Sequence, residues 1–172
     1  RWAFLLHSAR GDLIVLDPSG AIRQRRIGGF AEPDALAFTE RFAYVRNRAS
    51  TSLTLVQLEG LAEGADPAVL EIPIGERPPA AAGTAALASP LSPVPTSDGA
   101  FVASPADGTL VYYHEGMMAP MGTHRNYGRT PRAVLVLDRS LRETEPGIYT
   151  AAVEMPVAGK WNVGFLLGRP RV

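Results

Sequence analysis

Placing residue 1 over residue 41 aligns two stretches of this chain without a gap, and that repeat restricts the fold more than any other feature. RWAFLLHSARGDLIVLD lies over RFAYVRNRASTSLTLVQ, with Arg1 on Arg41, Trp2 on Phe42, Ala3 on Ala43 and Phe4 on Tyr44. The register continues through Ala9 on Ala49, Leu13 on Leu53 and Val15 on Leu55. Each unit reads as an apolar strand, a polar turn and a second apolar strand. A further strand then ends near glycine, AIRQRRIGG in the first unit and VLEIPIG in the second. A third unit follows, with Phe101 on Tyr44, Val102 on Val45, Ser104 on Asn47 and Leu110 on Leu53. Its extra length falls in the Pro/Ala-rich residues 77–95, which read as an exposed excursion too irregular for a strand.

A repeat of about 40 residues with four short strands per unit is the signature of β-propeller blades, units that have no core of their own and must stack on neighbours. Fifteen prolines and seventeen glycines punctuate short β-branched and aromatic runs, so an all-β protein is expected. The Ala-rich residues 80–88 are flanked or broken by Pro78, Pro79, Gly83 and Pro90 and read as loop. Seventeen basic residues balance seventeen acidic ones, so no nucleic-acid partner is expected. Cysteine is absent, which removes disulfides, thiolate nucleophiles, thiolate zinc sites and covalently attached c-type haem from this chain. No apolar run reaches the roughly 18 residues of a membrane span, so no transmembrane segment is expected.

The units resemble YVTN-type β-propellers, whose strands carry Tyr-Val, a "V-x-D" end and an "x-I-x-x-G-x-x-P" close. Here these are Tyr44-Val45, Leu13-Ile14-Val15-Leu16-Asp17 and Ile72-Pro73-Ile74-Gly75-Glu76-Arg77-Pro78, and PTSDGAFVASPADGTLVYY looks like their blade core. The resemblance covers residues 1–113, and it implies the C-terminal blades of a propeller. About two and a half blades cannot close a ring of roughly four to eight. The remaining blades are therefore expected from further sequence or from a partner chain.

From Pro131 the pattern changes, with strand candidates at 133–137, 148–155 and 160–167. EPGIYTAAVEMPVAGKWNVGFLL is similar to the immunoglobulin-type sandwiches of the FixH and copper-resistance kind, which carry "G-x-Y-x-x-x-V-x-L-P-x-x-G-x-W-x-V". Residues 133–172 are thus expected to form part of an immunoglobulin-like sandwich. A full one needs about seven strands and roughly 100 residues, so another polypeptide would complete it.

Between the two lies residues 114–132, a Met/His-containing junction. Three of the four methionines and two of the three histidines fall between His114 and His124. Thioether sulfur and imidazole together suit copper, above all Cu(I), which makes Met117, Met121, His114 and His124 the candidate metal ligands. Pro120 and Gly122 place them on a loop rather than a helix face. The same methionines can instead serve as flexible filler at the junction. The segment from Tyr113 to Ala133 resembles a "Y-x-E-G-M-x-A-P-M-G-x-x-x-N-Y-G-R-x-P-R-A" element of exported bacterial propellers classed near the nitrite-reductase cytochromes, in which it joins propeller to sandwich.

Glu115 with Arg125, Arg129 and Arg132 is expected to form a junction held by arginine–carboxylate bonds, the alternative being a site that binds an anionic partner. His7, equivalent to Asn47 and Ser104, is either a turn-bonding residue or a haem or copper ligand near the centre of the propeller. Asp12, Asp17 and Asp107 read as turn residues, and Arg23 to Arg26 as a solvated strand edge. No Ser/His/Asp order, phosphate-binding glycine loop or His-x-x-x-His motif is present. These features lead to the expectation of an accessory or binding module of a periplasmic or otherwise exported redox or metal-handling protein. The alternative is a subunit of a copper- or haem-dependent oxidoreductase whose cofactor sits at the propeller centre, with haem held through a partner chain.

Overall fold

A computed structural model describes residues 2–17, 24–59, 61, 66–75, 89–95, 97–125, 127–137, 141–151 and 158–160. Among them the chain is all-β, with thirteen strands in four antiparallel sheets and no helix. None of the described residues belongs to a helix long and apolar enough to cross a membrane. The chain divides into two compact units, Arg1–Leu137 and Asp138–Val172.

The first unit holds three successive meanders. Sheet 1 is β1 (Ala3–His7), β2 (Asp12–Leu16) and β3 (Gln24–Gly28). Sheet 2 is β4 (Pro33–Phe38), β5 (Phe42–Asn47), β6 (Ser52–Gln57) and β7 (Val69–Pro73). Sheet 3 is β8 (Leu91–Pro93), β9 (Gly99–Ser104), β10 (Thr109–His114) and β11 (Gly122–Arg125). The repeat read from the sequence is the repeat of the strands: β9 lies over β5 and β10 over β6 in the register that puts Phe101 on Tyr44. In the same way β1 and β2 fall on β5 and β6 in the register that puts Ala3 on Ala43.

Strand alternation decides how the sheets stack, because successive side chains leave opposite faces. On sheet 2, Phe42, Tyr44, Leu53, Leu55 and Ile72 join Leu91, Ala100, Val102 and Tyr113 of sheet 3 in one buried cluster. Their neighbours Ala43, Val45 and Val56 leave the other face and pack with Leu13 of sheet 1, with Phe4 and Leu6 against them. Every residue of β5 is therefore buried. A fully buried Leu, Val or Phe side chain contributes about 1.5–3 kcal/mol over an exposed one, so the two seams of sheet 2 dominate the unit's stability.

Two stretches differ from the sequence reading. The excursion expected over residues 77–95 ends in a strand: Leu91, Ser92 and Pro93 pair with Val102, Phe101 and Ala100. Proline is tolerated there because β8 lies at the edge of its sheet, where a missing N–H costs no internal ladder bond. Residues 77–88 of the excursion lie outside the described residues. Residues 133–137 are extended but join no ladder, and they run beside β8. The Val134 amide donates to Ser89 O at 2.9 Å and the Val136 amide to Ser92 Oγ at 3.2 Å, which places them in the first unit.

In the second unit, β12 (Arg142–Glu145) pairs with β13 (Ile148–Thr150) through a bulge. The candidate strand at 148–155 is described through residue 151, and the candidate at 160–167 lies outside the described residues except for Lys160.

Gly11, in the β1–β2 turn, is needed twice over. Its φ is 66°, and a methyl group there would stand 2.2 Å from the Phe30 carbonyl oxygen. The Gly11 carbonyl also accepts the Phe30 amide at 3.1 Å, tying that turn to the chain entering sheet 2. Gly11→Ala should destabilise the protein by roughly 2–4 kcal/mol in urea unfolding, combining left-handed strain with overpacking.

Candidate functional site

The Met/His stretch forms the β10–β11 hairpin of sheet 3. The Met117 amide bonds to His114 O at 3.3 Å and the Met121 amide to Tyr112 O at 2.9 Å, closing the loop. Met117, Met118 and Met121 are 46%, 81% and 57% exposed and lie outside the buried clusters of the first unit. The two histidines are not brought together. Leu110 faces His124 across the ladder, which leaves His114 four residues further along β10, about 13 Å away at the ordinary strand rise. A soft ion at the hairpin tip would therefore draw on the thioethers with at most one imidazole.

Glu115 does more for the structure than its neighbours on the hairpin. It is 7% exposed, and its carboxylate is held by hydroxyls of sheet 2 rather than by an arginine. Thr39 Oγ1 donates to Oε1 at 2.5 Å and Tyr44 Oη donates to the same oxygen at 3.0 Å. Oε2 is buried with no protein partner. The Glu115 amide donates to Asp98 O at 2.7 Å. One residue of sheet 3 thus grips the β4–β5 turn, strand β5 and the β8–β9 connection together.

Tyr44 and Tyr113 meet edge to face above this point, with ring centroids 6.2 Å apart. Burial, and then the Glu115 charge, push the Tyr44 phenol far above the usual tyrosine range. The same two causes, in the same order, raise Tyr113.

These contacts frame a cleft of about 770 Å³ at one end of the seam between sheets 2 and 3. Residues 38–40 of the β4–β5 turn line one side, residues 93–95, 97 and 98 the other, and His114 the remaining wall. The His114 Nδ1 atom lies 2.9 Å from Glu115 O. A carbonyl oxygen can only accept, so Nδ1 carries the hydrogen and Nε2 of the neutral ring keeps its lone pair.

The three equivalent strand ends, His7, Asn47 and Ser104, all bond locally. His7 Nδ1 accepts the Arg10 amide at 3.2 Å, Asn47 Nδ2 donates to Thr54 Oγ1 at 2.7 Å, and Ser104 Oγ donates to Asp107 Oδ2 at 2.6 Å. His7 is thus a turn-bonding residue, and Asp107 is a turn residue as expected. Asp12 differs from the turn reading: it opens β2, is buried, and bonds to Arg26 across the sheet. That hydrogen bond is the main reason its carboxyl is held below the usual range. Arg26 is correspondingly a paired residue and not simply a solvated edge.

Among the described residues, no group of three or more His, Asp or Glu side chains is placed to hold a metal ion. No protein-family profile matches the chain, and no curated protein matches it.

Two outcomes test the Glu115 tie. Glu115→Ala should cost about 2–4 kcal/mol and Tyr44→Phe about 1–2 kcal/mol. Their double-mutant cycle should show coupling of roughly 1 kcal/mol, and simple additivity would contradict the bond. Because the phenol of Tyr44 is raised in the folded state, its contribution is complete below the unfolded value near pH 10. Stability should therefore fall as the pH rises above about 10, and Tyr44→Phe should flatten that fall.

Proposed function

We propose that the first unit is a run of β-propeller blades of the YVTN type and the second part of an immunoglobulin-like sandwich. Together they serve as an accessory or binding module of an exported, periplasmic redox or metal-handling assembly. The observation that carries this reading is the unequal treatment of sheet faces. Strands β5 and β6 of sheet 2 are buried on both sides, although β7 at its edge leaves Val69 and Leu70 exposed, whereas sheet 1 turns Leu5 and Leu16 of its first two strands, 54% and 38% exposed, away from sheet 2. Ile14 pairs with Leu5 in the ladder and belongs to the same apolar face. The occupant that fits this face is another antiparallel sheet of the same repeat, since sheet 2 presents just such a face to sheet 1.

The Met hairpin favours the metal-handling branch of this reading. Three thioethers held in solvent at one turn suit capture of Cu(I), and their exposure is a cost that a purely structural hairpin has no need to bear.

Purification from the native source should yield this chain in a complex larger than its own 18.4 kDa. Leu5→Lys with Leu16→Lys should release it from that complex, and unchanged assembly would overturn the docking face. Metal analysis should find near-stoichiometric copper that is lost when Met117, Met118 and Met121 are replaced by leucine. Metal content indifferent to those changes would remove the hairpin as a copper site while leaving the assembly reading intact.

A further inference from the structure

We propose that the cleft between sheets 2 and 3 binds an organic cation, an alkylammonium or alkylguanidinium group, through Glu40, Asp98 and the Nε2 atom of His114. This goes beyond the assembly reading and stands apart from the methionine hairpin.

The chemistry follows from what the lining offers. Among the described lining residues the charged groups are the carboxylates of Glu40 and Asp98, with neither lysine nor arginine. A third carboxylate, Glu115, lies directly behind the wall, bonded to Thr39 through its side chain and to Asp98 through its amide. Three negative charges around one concavity focus a field that attracts cations. The imidazole adds to this, because the Glu115 carbonyl takes the Nδ1 hydrogen and leaves Nε2 as an acceptor. The two carboxylates and Nε2 thus all accept hydrogen bonds, and a ligand rich in N–H donors satisfies them.

The apolar part of the lining suits an organic cation better than a bare metal ion. Val94 and the two prolines that flank it, Pro93 and Pro95, supply apolar surface, which suits an alkyl stem. No three carboxylate or imidazole groups among the described residues converge closely enough to ligate one metal. A volume of about 770 Å³ falls within the range of small-molecule sites and admits a group the length of an arginine side chain.

The cation can come from a free amine or from a basic side chain of a protein. Calorimetric titration of the full chain with agmatine, and separately with a capped Gly-Arg-Gly peptide, separates the two sources. Binding at millimolar affinity or better is expected for at least one, weakening with salt, with a shift of the His114 imidazole resonances. Glu40→Gln combined with Asp98→Asn should weaken it at least tenfold; both positions are exposed, so folding should be unaffected, as circular dichroism would verify. Tighter binding of the peptide assigns the cleft to a basic protein segment, and tighter binding of agmatine assigns it to a small molecule. The proposal fails if neither probe saturates, if the double variant binds as well as the parent, or if a neutral alcohol of the same length binds equally.

Discussion

Burial of both faces of β5 and β6 in sheet 2 is the constraint on which the rest of the first unit depends. Strand β5 alternates Phe42 and Tyr44 toward sheet 3 with Ala43 and Val45 toward sheet 1, and β6 does the same with Leu53 and Leu55 against Val56. A strand buried on both faces cannot tolerate a register slip, because a shift of one residue exchanges the two sets of side chains. Large residues face sheet 3 and smaller ones face sheet 1, so the exchange would overpack one seam and open cavities in the other.

The polar contacts refine what the apolar seams begin. Glu115 is a buried carboxylate between two sheets, a placement that is expensive unless hydrogen bonds offset desolvation. Thr39 and Tyr44 supply them from sheet 2, and the Asp98 carbonyl holds the Glu115 amide from within sheet 3. Because the backbone carbonyl of the same residue takes the His114 Nδ1 hydrogen, the residue that fastens the sheets also fixes the tautomer of that ring. Structure and candidate chemistry meet at this single residue.

Much of the fold was legible in the sequence because β1, β2, β5, β6, β9 and β10 carry their apolar residues in a constant register. The strands that escaped notice lack that signal. β8 is three residues long and contains Pro93, and only Leu91 among them is a large buried aliphatic. β11, GTHR, is exposed throughout and draws its pairing from the hairpin rather than from burial. The site was less legible still. Composition singled out His114 and His124, but ladder register separates them, and the arginines nearest Glu115 in sequence are not its partners. Its actual partners, Thr39 and Tyr44, lie more than 70 positions away and come close only once sheets 2 and 3 stack. The cleft is built from turns of different sheets, and no local pattern announces it.

If the two-sided seam governs the unit, its amides should report it. Native-state hydrogen exchange followed residue by residue is the most direct measurement. The slowest amides should lie in β5 and β6, around Val45 and Leu55, and should exchange only with global unfolding. Those of β1 and β3, in a sheet covered on one face, should exchange through smaller openings. Protection in β1 and β3 equal to or greater than that in β5 and β6 would contradict the account.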